Sequence, residues 1–258
     1  MSPDTNVPMM LRALGLPSML AQYEPLATQA EQQSWSLVQY LQQLCEVELA
    51  GRHTRRIQRL LTAAHLPEGK TLATLDERQL PLKVRRQLAT LLEGDFVKRA
   101  ENVLAFGLPG RGKTHLLCAL ARELIVRHGH RVSFLSTFAL VQQLLIAKRD
   151  LRLEALLRQL DRCDVIVLDD IGYVQQSREE MEVLFTFLAE RYERRSLLIT
   201  SNLVFSEWDK IFKDPMTTAA AIDRLVHRAI ILELSGESYR AKHARERKET
   251  TKDKSGPD

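Results

Sequence analysis

The stretch with the most explicit chemistry is GLPGRGKT, Gly107 to Thr114, which matches the phosphate-loop pattern G-x-x-x-x-G-K-[ST] without a mismatch. Its glycines let the backbone curl, so that successive N–H groups and the N-terminus of a following helix converge on phosphate oxygens. Lys113 then reaches the β- and γ-phosphates, and the Thr114 hydroxyl ligates Mg²⁺. The expected nucleotide contacts are Gly107, Pro109, Gly110, Arg111, Gly112, Lys113, Thr114 and the adjoining His115. Further along, DVIVLDD carries an apolar run, Val165 to Leu168, that reads as a buried strand and delivers two acids at its C-terminal edge. Asp169 there can hold Mg²⁺ through water, so Thr114 and Asp169 are the expected metal site. Asp170 either orients and deprotonates the attacking water or serves as a cap or structural hydrogen-bond partner.

Two more polar residues stand where such a site would use them. Asn202 ends SLLITSN, preceded by Thr200 and Ser201, and either contacts the γ-phosphate or the attacking water, or merely starts the next turn. In AAIDRLVHRA, Ala220 to Ala229, helical periodicity buries Ile222, Leu225, Val226 and Ala229 and leaves Arg224 and Arg228 outside. Either arginine is a plain surface residue or it completes a neighbouring subunit's site, with Arg224 the first candidate, because charge developing on a transferred phosphoryl group needs a cation.

The elements that must position these residues alternate along the chain. NVLAFG, RVSFL, DVIVLDD, SLLITSN and AIILEL read as strands, and helical patterns start at Lys113 and run over FALVQQLLIAK and REEMEVLFTFLAERYE. Such alternation predicts an α/β fold, a parallel sheet covered by helices on both faces. Before it, residues 7 to 66 are helical, with Ser34 or Ser36 able to cap a long helix on which Leu37, Leu41, Leu44 and Cys45 recur. A Pro- and Gly-punctuated connector near Pro67 to Thr74 marks the boundary, which gives a helical domain over 1–70, an ATPase domain over 71–238 and a charged, disordered tail over 239–258.

With 258 residues there is room for one full α/β domain and a smaller attachment. The formal net charge of +4 permits nucleic acid as a partner without requiring it. Cys45, Cys118 and Cys163 are widely spaced, which argues against a disulfide framework or a zinc site. The start lacks the order of a secretion signal and no apolar run is long enough to span a bilayer, so the expectation is a cytoplasmic protein without a membrane partner. Arg52, Arg55, Arg56 and Arg59 fall on one face of the long helix, either as a solvated ridge paired through Glu48 or as phosphate contacts. Lys98, Arg99, Lys148, Arg149 and Arg152 are the other candidate contacts to duplex DNA, as cations without matching acids at every position. Contacts of this type carry little sequence information.

A family resemblance now becomes specific. The series GLPGRGKTHLLCAL, DVIVLDDIGY, RYERRSLLITSN, the tryptophan of FSEW, DRLVHRA and GESYR resembles, in order and spacing, the IstB-like helper ATPases of bacterial insertion sequences. These are AAA+ phosphate-loop proteins close to DnaC-type helicase loaders. ELAGRHTRRIQRLLTAAHLP is similar to that family's segment E-x-x-x-R-x-x-R-R. The resemblance implies ATP and Mg²⁺ as cofactors, a small N-terminal all-α domain and an ATP-dependent homo-oligomer on duplex DNA. It also implies that ATP hydrolysis serves as an assembly switch, in a protein that selects or prepares target DNA and stimulates a partner transposase. Two departures stand out: Arg111 replaces a small residue of the loop, and the acidic pair is Asp-Asp where Asp-Glu is usual. Only 24 residues follow Leu234, too few for the C-terminal lid domain of many AAA+ proteins, which the IstB-like proteins and helicase loaders also lack. A helicase loader shares these core motifs and is the alternative reading. A small-molecule phosphate-loop kinase would need an acceptor pocket and a water-excluding lid for which no insertion is present.

Overall fold

In the computed structural model, the described residues are 6–172, 177–203, 207–208 and 215–235, with 215–218 described as backbone only. GESYR, Tyr173 and the tail over 239–258 therefore lie outside the described residues. The chain divides into two compact units, Met1–Arg59 and Leu60–Asp258.

In the larger unit the strands are β1 (Asn102–Phe106), β2 (Val132–Ser136), β3 (Val165–Asp169), β4 (Ser196–Ser201) and β5 (Ala229–Glu233). They form one sheet in the order β2-β3-β4-β1-β5, and every neighbouring pair is parallel. A parallel sheet carries helices on both faces, which is why β1 and β4 are buried along their whole length and are apolar over Val103 to Phe106 and Leu197 to Ile199. The helices of this unit are α4 (Leu82–Leu92), α5 (Asp95–Lys98), α6 (Lys113–His128), α7 (Thr137–Arg149), α8 (Leu153–Leu160), α9 (Arg178–Arg191) and α10 (Pro215–Val226). Leu116, Leu117, Leu120 and Leu124 of α6 are sealed from solvent, and each such side chain contributes about 1.5–3 kcal/mol by burial. The N-terminal edge of the sheet is pinned by one side chain: Asn102 accepts from the Leu197 amide at 3.0 Å and donates to the Leu225 carbonyl at 3.1 Å.

The strand order is the feature that positions chemistry. Because β4 lies between β1 and β3, whatever ends β4 stands between the loop after β1 and the acids after β3. Leu104 and Leu168 both pair with Ile199, so the C-terminal ends of the three strands are level.

The last helix differs from its sequence pattern. Helix α10 ends at Val226, His227 and Arg228 turn, and Ala229 opens β5. Arg228 is thus not on the helix face expected for it; its carbonyl accepts the Asn102 amide at 2.9 Å, and the β-branched run that follows pairs with β1 instead of continuing the helix.

The smaller unit holds α1 (Val7–Ala13), α2 (Pro17–Gln32) and most of α3 (Leu37–Ala64). Ser36 caps α3 through a reciprocal pair with Gln39, accepting the Gln39 amide at 3.2 Å while Gln39 Oε1 accepts the Ser36 amide at 2.7 Å. Helix α2 has no side-chain cap of its own. Glu48, only 3% exposed, supplies one from α3 by accepting the Ser18 and Met19 amides at 2.8 and 3.1 Å. Of the apolar series on α3, Leu44 is buried whereas Leu37 and Leu41 are exposed.

Candidate nucleotide site

The loop between β1 and α6 has the backbone its sequence demands. Gly107 lies at φ 148°, and a Cβ there would run into the Leu234 carbonyl oxygen. Gly112, at φ 82°, turns the chain into α6 in a conformation that favours glycine. The main chain consequently curls over a cavity of about 340 Å³ whose lining includes Gly110, Arg111, Lys113, Thr114, Asp169 and Asn202.

Lys113 is 7% exposed, and its ammonium donates to the Gly107 carbonyl at 2.6 Å, the Leu108 carbonyl at 3.0 Å and Asn202 Oδ1 at 2.6 Å. The Asn202 amide nitrogen in turn donates to Asp170 Oδ1 at 2.9 Å. Thr114 donates to Asp169 Oδ1 at 2.7 Å, and Thr200 donates to the same oxygen at 2.8 Å. The structure therefore brings Lys113, Thr114, Asp169, Asp170 and Asn202 into one hydrogen-bonded cluster across the ends of β1, β4 and β3. Burial, and then the neighbouring Asp169 charge, raise the Asp170 pKa above the usual aspartate value against the opposing pull of Lys113. That direction suits a carboxylate that accepts a proton.

The remaining expected contacts are placed as follows. Pro109, Gly110 and Gly112 line the cavity. Arg111 projects Nε and Nη1 into buried positions without a hydrogen-bond partner among the described residues, so an anion in the cavity would satisfy it. His115 also lines the cavity, but its Nε2 lies 3.0 Å from the Thr71 carbonyl oxygen and 3.1 Å from Thr74 Oγ1. These contacts tie the connector to α6 within the larger unit, Leu60–Asp258. Lys70 comes with the connector to the cavity wall. Sequence reasoning missed it, and its only signal was a lone cation within a Gly-Lys-Thr turn.

Arg224 is half-buried, with its guanidinium 4.6 Å from the Phe185 ring centre and Nη1 donating to the Ala220 carbonyl at 3.2 Å. Arg228 is exposed, and its Nε stands 3.6 Å from Glu193.

The basic residues expected at DNA have acidic neighbours more often than their sequence suggests. Glu48 Oε1 accepts from Arg52 Nε at 3.0 Å and Arg55 Nη2 at 2.9 Å. Arg59 Nε donates to the Arg55 carbonyl at 3.3 Å, and Arg56 lies one residue beyond Arg55 on the same helix. Lys98 pairs with Asp95, Arg99 with Glu101, Lys148 with Glu182 and Arg149 with Asp150, whereas Arg152 is exposed. Exposed pairs of this kind are worth only about 0–1 kcal/mol, so a phosphate can displace the acid.

No helix among the described residues is long and apolar enough to cross a membrane.

The sequence profile of the family described as IstB-like ATP binding protein matches residues 9–247. A Sinorhizobium fredii protein named for an insertion sequence and for ATP binding is 42% identical over 246 residues, covering 95% of this chain and 82% of its own. A Pseudomonas aeruginosa protein named for insertion sequence IS21 and ATP binding is 40% identical, covering 86% of this chain and 83% of its own. Among solved structures, the DnaI structure superposes with a TM-score of 0.55 at 22% identity, covering 66% of this chain and 95% of that one. The DnaC helicase loader gives a TM-score of 0.51 at 20% identity, covering 60% of this chain and 92% of that one. At these identities the two structures speak to the fold alone.

Proposed function

The chain belongs to the family of IstB-like ATP-binding proteins and is an ATPase, and on that premise we propose that it is of the AAA+ type and an ATP-switched assembly factor for DNA transposition. In this reading it gathers on duplex DNA as a homo-oligomer, selects or prepares a target and stimulates a partner transposase. Support for the insertion-sequence context comes from the names of relatives that match nearly the whole chain.

The observation that carries the chemistry is the convergence of Lys113, Asn202 and Asp170 on one cavity. Lys113 supplies charge to the β- and γ-phosphates, and the loop amides before α6 supply hydrogen bonds to them. Thr114 and Asp169 offer hard oxygen donors 2.7 Å apart. No group of three or more His, Cys, Asp or Glu side chains among the described residues makes a closed metal cage. That donor set fits Mg²⁺, which is held by few protein oxygens together with substrate phosphate and water. When bound, Mg²⁺ neutralises and orients phosphate oxygens. Asp170 accepts a proton from the attacking water, and Asn202 orients that water or the γ-phosphate. Arg224, held up by the Phe185 ring, is the proposed cation for a neighbouring subunit's site, with Arg228 second.

The test is sedimentation with duplex DNA, with and without ATP, followed by capture with a candidate partner transposase. ATP-dependent complexes that bind the transposase support this function. Stable binding to a replicative helicase in their place would identify a helicase loader.

A further inference from the structure

Thr200 is the next-to-last residue of β4 and is 1% exposed. Its hydroxyl touches both acids of the site: the Asp170 amide is 2.7 Å from Oγ1, and Asp169 Oδ1 is 2.8 Å from it. An amide can only donate, so the hydroxyl accepts from Asp170 and its single proton goes to Asp169. The Thr200 carbonyl accepts the Ile171 amide at 3.0 Å. One residue thus holds the main chain on both sides of the Asp170 carbonyl.

Asp170 needs such a hold. Its φ is 61°, in the left-handed region, where a residue other than glycine persists only when its surroundings over-determine it. This backbone turn presents the Asp170 carboxylate to the Asn202 amide. At Asp169, the Thr114 and Thr200 hydroxyls both occupy Oδ1, which leaves Oδ2 without a hydrogen-bond partner among the described residues and the carboxylate plane fixed.

We infer that Thr200 is the positioning residue for the acidic pair, its one hydroxyl setting Asp169 toward the metal and holding Asp170 in the turn that aims it at the attacking water. This rests on the reading of Asp169 and Asp170 given above. Thr200 lines the same cavity as the phosphate loop, but its hydroxyl is spent on Asp169 and the Asp170 amide, so its loss should fall on metal binding and turnover and spare nucleotide binding.

Thr200→Val keeps the shape and removes the hydroxyl. Partners of metal-binding groups typically change metal affinity or activity by about 10–100-fold when removed. The expected result is a fall of that size in kcat, and an equal weakening of Mn²⁺ binding to the ADP complex followed by electron paramagnetic resonance. Nucleotide affinity in metal-free buffer should stay within about twofold, and Thr200→Ser should restore Mn²⁺ binding and kcat to within about threefold. If Thr200→Val does not fold, Thr200→Ala against Thr200→Ser makes the same comparison. Mn²⁺ affinity and kcat unchanged in the hydroxyl-free variant, or not restored by serine, would overturn the inference. Lys113→Ala serves as the reference: if it keeps nucleotide affinity, the site assignment itself fails, whereas its loss of binding beside an unaffected Thr200→Val removes only the role of Thr200.

Discussion

Lys113 and Asn202, 89 residues apart, meet at 2.6 Å, the ammonium donating to the side-chain oxygen of the amide. The same amide donates to Asp170, so one side chain links the phosphate-binding cation to the proposed base. The three ammonium protons of Lys113 are engaged by Gly107, Leu108 and Asn202, so a triphosphate oxygen must displace one of these acceptors. Lys113→Ala should abolish tight ATP binding with the melting temperature preserved. Asn202→Ala should bind ATP within a few-fold and lower kcat by about 10²-fold, as expected for a residue that orients the reacting group. Equilibrium titration and steady-state turnover separate the two; weak ATP binding by Asn202→Ala would make it a structural partner of Lys113.

Asp170→Asn should bind ATP and stop turnover, because the amide keeps the size of the side chain and cannot take a proton at neutral pH. General-base removal is expected to cost about 10²–10⁴-fold. ATP-bound complexes on DNA should outlive those of the unaltered protein in a filter-retention time course. Undiminished phosphate release would return Asp170 to a structural role.

Arg224→Ala should leave ATP affinity of the isolated chain within a few-fold while lowering hydrolysis by about 10³-fold or more, if its guanidinium acts on the neighbouring site. Losing the stacking on Phe185 costs only about 0.5–1 kcal/mol, too little to unfold the domain. Mixing this variant with Asp170→Asn creates junctions with one intact acid and one intact arginine, and activity should return. No recovery in mixed complexes verified by cross-linking would exclude a role across subunits.

Glu48 separates two uses of the arginine ridge. Burial opposes its ionisation, yet the Arg52 hydrogen bond, the Met19 and Ser18 amides and the Arg55 charge outweigh burial and hold its pKa below the ordinary 4.5. A lowered carboxyl pKa means stability that is full above the ordinary value and is lost as pH falls through the lower folded value. Amide exchange in α2 should therefore accelerate in that acid range, and Glu48→Gln should abolish the acid dependence. Arg52→Gln with Arg55→Gln should cost the helical unit about 2 kcal/mol, the scale of hydrogen bonds to a charged group. Replacing all of Arg52, Arg55, Arg56 and Arg59 by Gln should also flatten the salt dependence of duplex binding by about 0.9 per lost phosphate contact. An unchanged salt slope beside lost stability would leave the ridge a purely structural feature.

The sequence alone determined the phosphate loop, since its chemistry resides in consecutive amides and the glycines that let them curl, and Gly107 and Gly112 adopt the backbone their spacing implies. It also determined the strands, because a strand buried on both faces must be apolar throughout, as Val165 to Leu168 and Val103 to Phe106 are. What only the tertiary structure decided is which polar ends meet. No period in the chain states that β4 inserts between β1 and β3, yet that insertion brings Thr200 to both acids and Asn202 to Lys113. Lys70 and His115 join through a connector that reads as a mere boundary. Glu48 looked like one half of a helix-surface pair, and packing made it a buried cap for another helix. The end of α10 went the same way: Ala229 fits the helical period, but pairing with β1 claimed it. Local periodicity encodes which face of an element is apolar, whereas hydrogen bonds between residues tens of positions apart are satisfied only when the elements pack.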